Sequence, residues 1–183
     1  MTRFPCASVL QLGFTTSDGA ICGAAHVAKC AAKDAGSTSA LLGFRLSGCG
    51  AWQPRASGRW TRWSMLPEQC RQVTTRAALT EALRCWAGCK LRVVLAAAQH
   101  VRRLRCAVDQ IRTMRLYSAS VLLLYDAAEG GDCTCEVALV DFAHAFQAPQ
   151  APLGRDENVI GALDILEQLL SQLGRDWASQ DVH

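Results

Sequence analysis

The chain has 183 residues, half of them hydrophobic and 19% charged, which excludes a wholly disordered polypeptide and supplies apolar material for one domain with a real core. A net charge of +3 makes no case for a general nucleic-acid or membrane coat, although 19 Lys and Arg residues leave room for local patches that suit a small anion. No run of about 18 apolar residues exists, so no membrane span is expected, and the chain reads as intracellular, in cytoplasm or nucleus.

The ten cysteines are irregularly spaced. Cys85/Cys89 and Cys133/Cys135 lack the C-x-x-C spacing of a zinc knuckle, and only four histidines are present. Buried, reduced, structural thiols are therefore expected, rather than a disulfide framework or a metal centre.

In chain order, the apolar stretch Phe4 to Phe14 reads as a strand. It is short, broken by Pro5 and Gln11, and lacks a clean cleavage site for a secretory leader. Gly19 to Lys33 is Ala-rich and reads as a helix. Leu42, Phe44 and Leu46 alternate with small or polar residues, a half-buried strand pattern. Gly48 to Arg62 reads as a loop by composition. Trp52, Trp60 and Trp63 near Arg55, Arg59 and Arg62 could stack nucleic acid. Pinning an irregular segment onto the body is the expected role, and no nucleic-acid partner is assigned.

Thr75 to Trp86 predicts a helix with Leu79, Leu83 and Trp86 on one face. Val94, Ala97, Val101, Leu104, Val108 and Ile111 are spaced three and four apart, the pattern of a longer amphipathic helix. Its Arg102, Arg103, Arg105 and Arg112 read as a solvent face, with Arg105 able to pair with Asp109. Ser120 to Tyr125 and Cys135 to Asp141 read as two strands of a β-hairpin around a turn at Ala127 to Asp132. Asp156 or Asn158 can cap a last helix carrying Ile160, Leu163, Leu166, Leu170 and Leu173 on its apolar side. The residues after Gly174 read as a polar, frayed tail. The expected organisation is one α+β domain over residues 1–174, with 175–183 as the tail.

The chemistry concentrates at Val140-Asp141-Phe142-Ala143-His144. An Asp leaving the end of an apolar strand is a hard oxygen ligand held rigidly, which is what Mg²⁺ beside a nucleotide triphosphate requires. Alone, an Asp-Phe pair is more often a surface acid closing a strand.

The surrounding segments are more specific. Tyr117-Ser118-Ala119-Ser120-Val121-Leu122-Leu123-Leu124-Tyr125-Asp126 is similar to the S-S-L-L strand of the inositol polyphosphate kinase family. Asp141 to His144 resembles that family's I-D-F-A-H motif. Asp156-Glu157-Asn158 with Leu163 and Leu166 resembles the D-E-N/G helix start that follows it, with Ala162 where Gly is usual. Ser37 to Ser39, Leu42 to Gly48 and Trp52 resemble T-T-S…L-G-F-R-L-T-G…W. The four segments stand in the family's order over most of the chain.

The resemblance implies ATP- and Mg²⁺-dependent phosphoryl transfer to a hydroxyl of an inositol phosphate. Asp141 would hold Mg²⁺ at the triphosphate. Val121 and Leu122 would pack near the adenine. His144 would approach the inositol phosphate, a structural His being the alternative. His26, Lys29 and Lys33 lie at i, i+3 and i+7 on one helical face, which suits phosphate contacts, a solvated face being the alternative.

The family signature P-x-x-x-D-x-K-x-G is altered. Pro5-Cys6-Ala7-Ser8-Val9-Leu10-Gln11-Leu12-Gly13 keeps the register, but Val9 stands at the Asp position and Gln11 at the Lys position. Val cannot orient a hydroxyl or take its proton, and Gln offers a dipole where the family has a full charge. Members also carry an N-terminal lobe before this motif, whereas this sequence starts at it. The expectation is a C-terminal lobe with the N-terminal lobe missing. Three readings stay open: an inositol phosphate kinase by descent, a catalytically inactive inositol-phosphate-binding or regulatory relative, and a truncated fragment. A separate chain supplying the missing lobe is a further expectation.

Overall fold

Burial that alternates along residues 7–14 makes this segment a strand. The computed structural model describes residues 7–14, 24–54, 57, 59–88, 90–127, 135–147 and 154–180. In it, β1 (Ala7–Phe14) buries Leu10, Leu12 and Phe14 on one side and turns Val9 and Gln11, both partly exposed, to the other. Strands β2 (Phe44–Pro54), β3 (Trp60–Met65), β5 (Ser120–Asp126) and β6 (Cys135–Val140) join it. Together they form a five-stranded antiparallel sheet of order β3-β2-β1-β5-β6. Strands β4 (Met114–Tyr117) and β7 (His144–Gln147) pair in a separate two-stranded ribbon.

The helices are α1 (Ala24–Ala35), α2 (Ser39–Leu42), α3 (Pro67–Arg71), α4 (Arg76–Ala87), α5 (Leu91–Asp109) and α6 (Glu157–Gln180). Apolar spacing predicts α4, α5 and α6, and the buried faces agree. Leu79, Leu83 and Trp86 of α4, Val94, Ala97 and Val101 of α5, and Leu163, Leu166 and Leu170 of α6 are enclosed. They form one cluster with Leu10, Leu12, Val121 and Leu123 of the sheet. One sheet face is therefore the core wall, and the α+β class and the β5–β6 hairpin stand as expected. The opposite face carries Val9, Gln11, Leu122 and Leu124, all partly exposed.

Local chemistry ties these layers together. Thr75 caps α4 through its side chain, and Gly88 ends that helix in the left-handed region, where glycine carries no Cβ penalty. The Tyr125 hydroxyl donates to the Trp86 carbonyl at 2.8 Å, and the two rings meet edge to face. The Lys90 ammonium lies 5.7 Å from both the Trp60 and Tyr125 rings while donating to the Ala127 carbonyl.

Several local expectations are corrected. Gly48 to Arg62 is not a loop: β2 runs to Pro54 and β3 begins at Trp60, in antiparallel register from Cys49↔Met65 to Pro54↔Trp60. Gly48 and Gly50 read as breakers, yet they alternate with buried Cys49 and Ala51 in a paired strand. Leu42 belongs to α2, and the strand starts at Phe44, after Gly43 at φ 75°. The helix predicted to Ile111 closes at Asp109. Arg102 and Arg105 do not face solvent alone, because they pair with Glu167 and Asp164 of α6 at 2.7 and 3.0 Å. Arg105 therefore takes Asp164, not Asp109, and Asp109 pairs with Arg112 and Arg155. The frayed tail after Gly174 is instead the end of α6, held by buried Trp177. The turn expected at Ala127 to Asp132 lies almost wholly outside the described residues, as does Gly19 to Gly23 of the first predicted helix.

Among the described cysteines, Cys30, Cys49, Cys70 and Cys135 are buried and Cys106 is exposed. Burial pushes the Cys49 thiol up to about 12, aided by the neighbouring Cys70 and Cys85 sulfurs. Since the thiolate is the nucleophile, native alkylation at pH 8 modifies Cys106 and spares Cys49. Residue-resolved mass spectrometry showing equal labelling of both would contradict this burial.

Candidate functional site

The end of β6 sets the position of Asp141. Its backbone sits at φ 65°, a left-handed conformation that costs an ordinary L-residue about 1–2 kcal/mol. Ser118, at φ 57°, occupies the matching break between β4 and β5. Ser120 pairs with Val140 on one side of this level, and Tyr117 with His144 on the other. Both strands of the long ribbon thus jog together, and Asp141 stands at the jog. Non-glycine residues held in this region concentrate at functional sites. Asp141 is exposed, Phe142 is 49% exposed, and the Ala145 N–H donates to the Phe142 carbonyl to close the corner. His144 opens β7 three residues on and is also exposed.

A basic pocket of about 400 Å³ lies at the same end of the sheet. Lys33 and Gly36 from α1 and its exit, Ser37, Arg45 and Ser47 around β2, and Pro67, Cys70 and Arg71 of α3 line it. The Arg45 guanidinium donates to Asp34 Oδ1 at 3.1 Å and to Ser39 Oγ at 3.4 Å. Burial pushes the Asp34 carboxyl above its ordinary value, against the opposing pull of Arg45, Ser39 and Lys33. Among the described residues Arg71 pairs with Glu68 of its own helix, both side chains mostly exposed, so that pair is weak and an anionic ligand can displace it. Lys33 forms no salt bridge among the described residues.

Register links the two sites. Arg45 pairs with Gly13, Gly13 with Ser120, and Ser120 with Val140, beside Asp141. Four adjacent strands at the usual spacing span roughly 14 Å.

The remaining predicted site residues fall as follows. Val9 pairs with Gly50 and Leu124, and Gln11 with Gly48 and Leu122, on the partly exposed sheet face. Leu122 shares that face. Val121 points the other way and is fully buried in the core, because successive strand residues alternate. Lys29 is exposed on α1, one turn before Lys33. His26 lies in α1, but its side chain is outside the described residues. No group of three or more His, Cys, Asp or Glu side chains that could hold a metal forms among the described residues. A lone Asp141 still fits Mg²⁺, which uses one or two carboxylates and completes its shell with water and phosphate.

Sequence reading missed Arg71 and reached Arg45 only as part of the Leu42 to Gly48 segment. The segment around α3 shows no apolar periodicity. Its one signal is Pro67 at the first helical position, with Gln69 Oε1 accepting the Leu66 N–H at 2.7 Å.

A strand-end Asp, a basic pocket at the same end of the sheet and helices behind an antiparallel sheet define the candidate site. The family model for inositol polyphosphate kinase matches residues 3–171, and the chain belongs to that family. Curated relatives include the inositol polyphosphate multikinase IPK2 of Oryza sativa subsp. indica and that of subsp. japonica. Each is 30% identical over 164 residues, covering 81% of this chain and 55% of the relative. The chain thus spans about half the length of the curated relatives it matches. The fold is similar to that of a solved inositol phosphate multikinase (TM-score 0.74, 19% identity, 91% of this chain and 79% of that one). It is also similar to that of the S. cerevisiae inositol phosphate multikinase Ipk2, solved with ADP and Mn²⁺ (TM-score 0.73, 16% identity, 91% and 78%). Among the described residues no helix is long and apolar enough to cross a membrane.

Proposed function

We propose that this chain binds an inositol phosphate in the basic pocket and is severely weakened as a phosphotransferase. The observation that carries this reading is the convergence of Lys33, Arg45 and Arg71 on one cavity of about 400 Å³, the setting in which phosphate oxygens gain charge-assisted hydrogen bonds. Lys29 and His26 on α1 extend the cationic face, and His144 approaches the ligand from the β7 side. Leu122 would pack against the ATP base and Asp141 would hold Mg²⁺, which when bound would supply charge neutralisation at the transferred group. Three strand spacings, roughly 14 Å, separate the β2 and β6 backbones at this level, which leaves room for a nucleotide's terminal phosphate to meet an inositol hydroxyl.

Catalysis is the weak point. Val9 and Gln11 occupy the motif positions for the acid that orients the accepting hydroxyl and the cation that holds phosphate. Loss of a general base alone typically lowers a rate ~10²–10⁴-fold. The proposed module is a single domain that includes all of α6, intracellular in setting. No described residue supports a separate partner chain, and none is included.

A radiolabelled phosphoryl-transfer assay with Mg-ATP and inositol trisphosphate tests this. The purified chain gives no transfer above background although it binds the inositol phosphate. Sustained multiple turnover by the wild-type chain would overturn the weakened-catalysis reading.

A further inference from the structure

The partly exposed sheet face holds a second cationic group. Gly48 and Gly50 on β2 pair with Gln11 and Val9 of β1. The two glycines leave a bare strip of backbone between the altered motif and β3. Side chains from both sides lie on that strip. A Cβ at Gly48 would sit 4.0 Å from Gln11 Cβ and Oε1, and a Cβ at Gly50 would sit 3.5 Å from an Arg62 terminal nitrogen and 3.7 Å from its Nε. Residues two apart on one strand face are separated by about 6.6 Å, so the Gln11 amide and the Arg62 guanidinium lie over successive positions of the same face.

Arg62 is exposed and makes no hydrogen bond or ion pair among the described residues, yet its guanidinium lies back over Gly50. A small residue at position 50 permits this. An alanine there would place its methyl at 3.5 Å from the guanidinium, in contact, and a larger side chain would displace it. The strip thus presents one full positive charge and one carboxamide, both able to donate to the same anion.

Resting on the inositol-kinase reading above, we propose that Arg62 supplies, from β3, the phosphate-binding charge that Gln11 does not supply from β1. The ligand chemistry is a phosphate monoester or terminal polyphosphate oxygen, taken by the planar guanidinium with the Gln11 amide beside it. It comes from an inositol phosphate or from a nucleotide, and the test separates the two. The site is distinct from the pocket of Lys33, Arg45 and Arg71, since Arg62 does not line that cavity.

The experiment is calorimetric titration of the folded full chain with inositol hexakisphosphate and, separately, with Mg-ATP. Four proteins are compared: wild type, Arg62→Gln, Arg59→Gln and the double variant Arg62→Gln/Gln11→Lys. Arg59 is a neighbouring exposed arginine that serves as the control for diffuse charge. Loss of one charge-assisted contact is worth about tenfold in affinity. Arg62→Gln weakens one of the two ligands about tenfold, and that ligand identifies the phosphate source, whereas Arg59→Gln changes neither by more than about twofold. Gln11→Lys in the Arg62→Gln background recovers most of the loss, because it returns the charge to β1. Circular dichroism and melting temperature confirm that each variant is folded.

Unchanged affinity for both ligands in Arg62→Gln overturns the proposal while leaving the pocket reading intact. An equal loss in Arg59→Gln, or no recovery in the double variant, also overturns it. If the wild-type chain binds neither ligand, this proposal and the inositol-phosphate reading fall together.

Discussion

Asp156→Ala lowers folding stability by about 3 kcal/mol, the largest single-residue loss expected outside the apolar core. The carboxylate is 5% exposed and does two jobs. Oδ1 accepts the Val159 N–H at 3.3 Å, capping α6, and Oδ2 accepts the Leu116 N–H at 2.8 Å, fixing β4 to the helix start. Truncation removes a cap, worth about 1 kcal/mol. It also leaves the Leu116 N–H without its acceptor in a buried setting, at about 1–3 kcal/mol. Asp156→Asn keeps one acceptor oxygen and forfeits the other, so its loss is about half as large. Urea unfolding by circular dichroism measures both. A loss under about 0.5 kcal/mol for Asp156→Ala would show that neither bond matters.

Lys33→Ala/Arg71→Ala lowers affinity for an inositol phosphate about 100-fold without unfolding the chain. Each residue contributes one charge-assisted contact at about 1.5–3 kcal/mol, and 1.4 kcal/mol is tenfold. Neither is structural: Lys33 is exposed, and among the described residues Arg71 pairs with mostly exposed Glu68. The same loss is not expected from Arg103→Ala, an exposed residue of α5 that does not line the pocket. Affinity also weakens as salt rises, because the contacts are electrostatic and partly exposed. Titration calorimetry of the three proteins decides it. Equal affinities in wild type and the double variant would remove the pocket from the account.

Legibility in the sequence followed periodicity. The stripes of α4, α5 and α6 are long and regular enough to be read directly, and the buried residues match them. The β5–β6 hairpin was legible because both strands are apolar around turn residues. The β2–β3 hairpin was not. Gly48, Gly50 and Pro54 look like loop chemistry, and the pairing of β2 with central β1 overrides that preference. Arg105 has Asp109 one turn away, but the helix it packs on offers Asp164, a contact set by tertiary structure alone.

The site divides along the same line. Asp141 and His144 were legible because a short motif at a strand end carries them. The strain at Asp141 and Ser118 was not, since Asp enters the left-handed region only more often than most residues and Ser gives no such signal. Lys33 was legible through helical spacing. Arg45 and Arg71 were not, because the cavity they share with Lys33 joins β2 to a five-residue helix with no periodic signal. Neighbouring Val121 and Leu122 were read as one adenine wall, but strand alternation places only Leu122 on the partly exposed face.

The central claim is that this chain retains an inositol-phosphate-binding face. Calorimetric titration of the purified wild-type chain with inositol trisphosphate tests it most directly. The account expects saturable binding with a stoichiometry near one, weakened by salt. No heat of binding at any ligand concentration up to the millimolar range, from a chain shown to be folded, would contradict it.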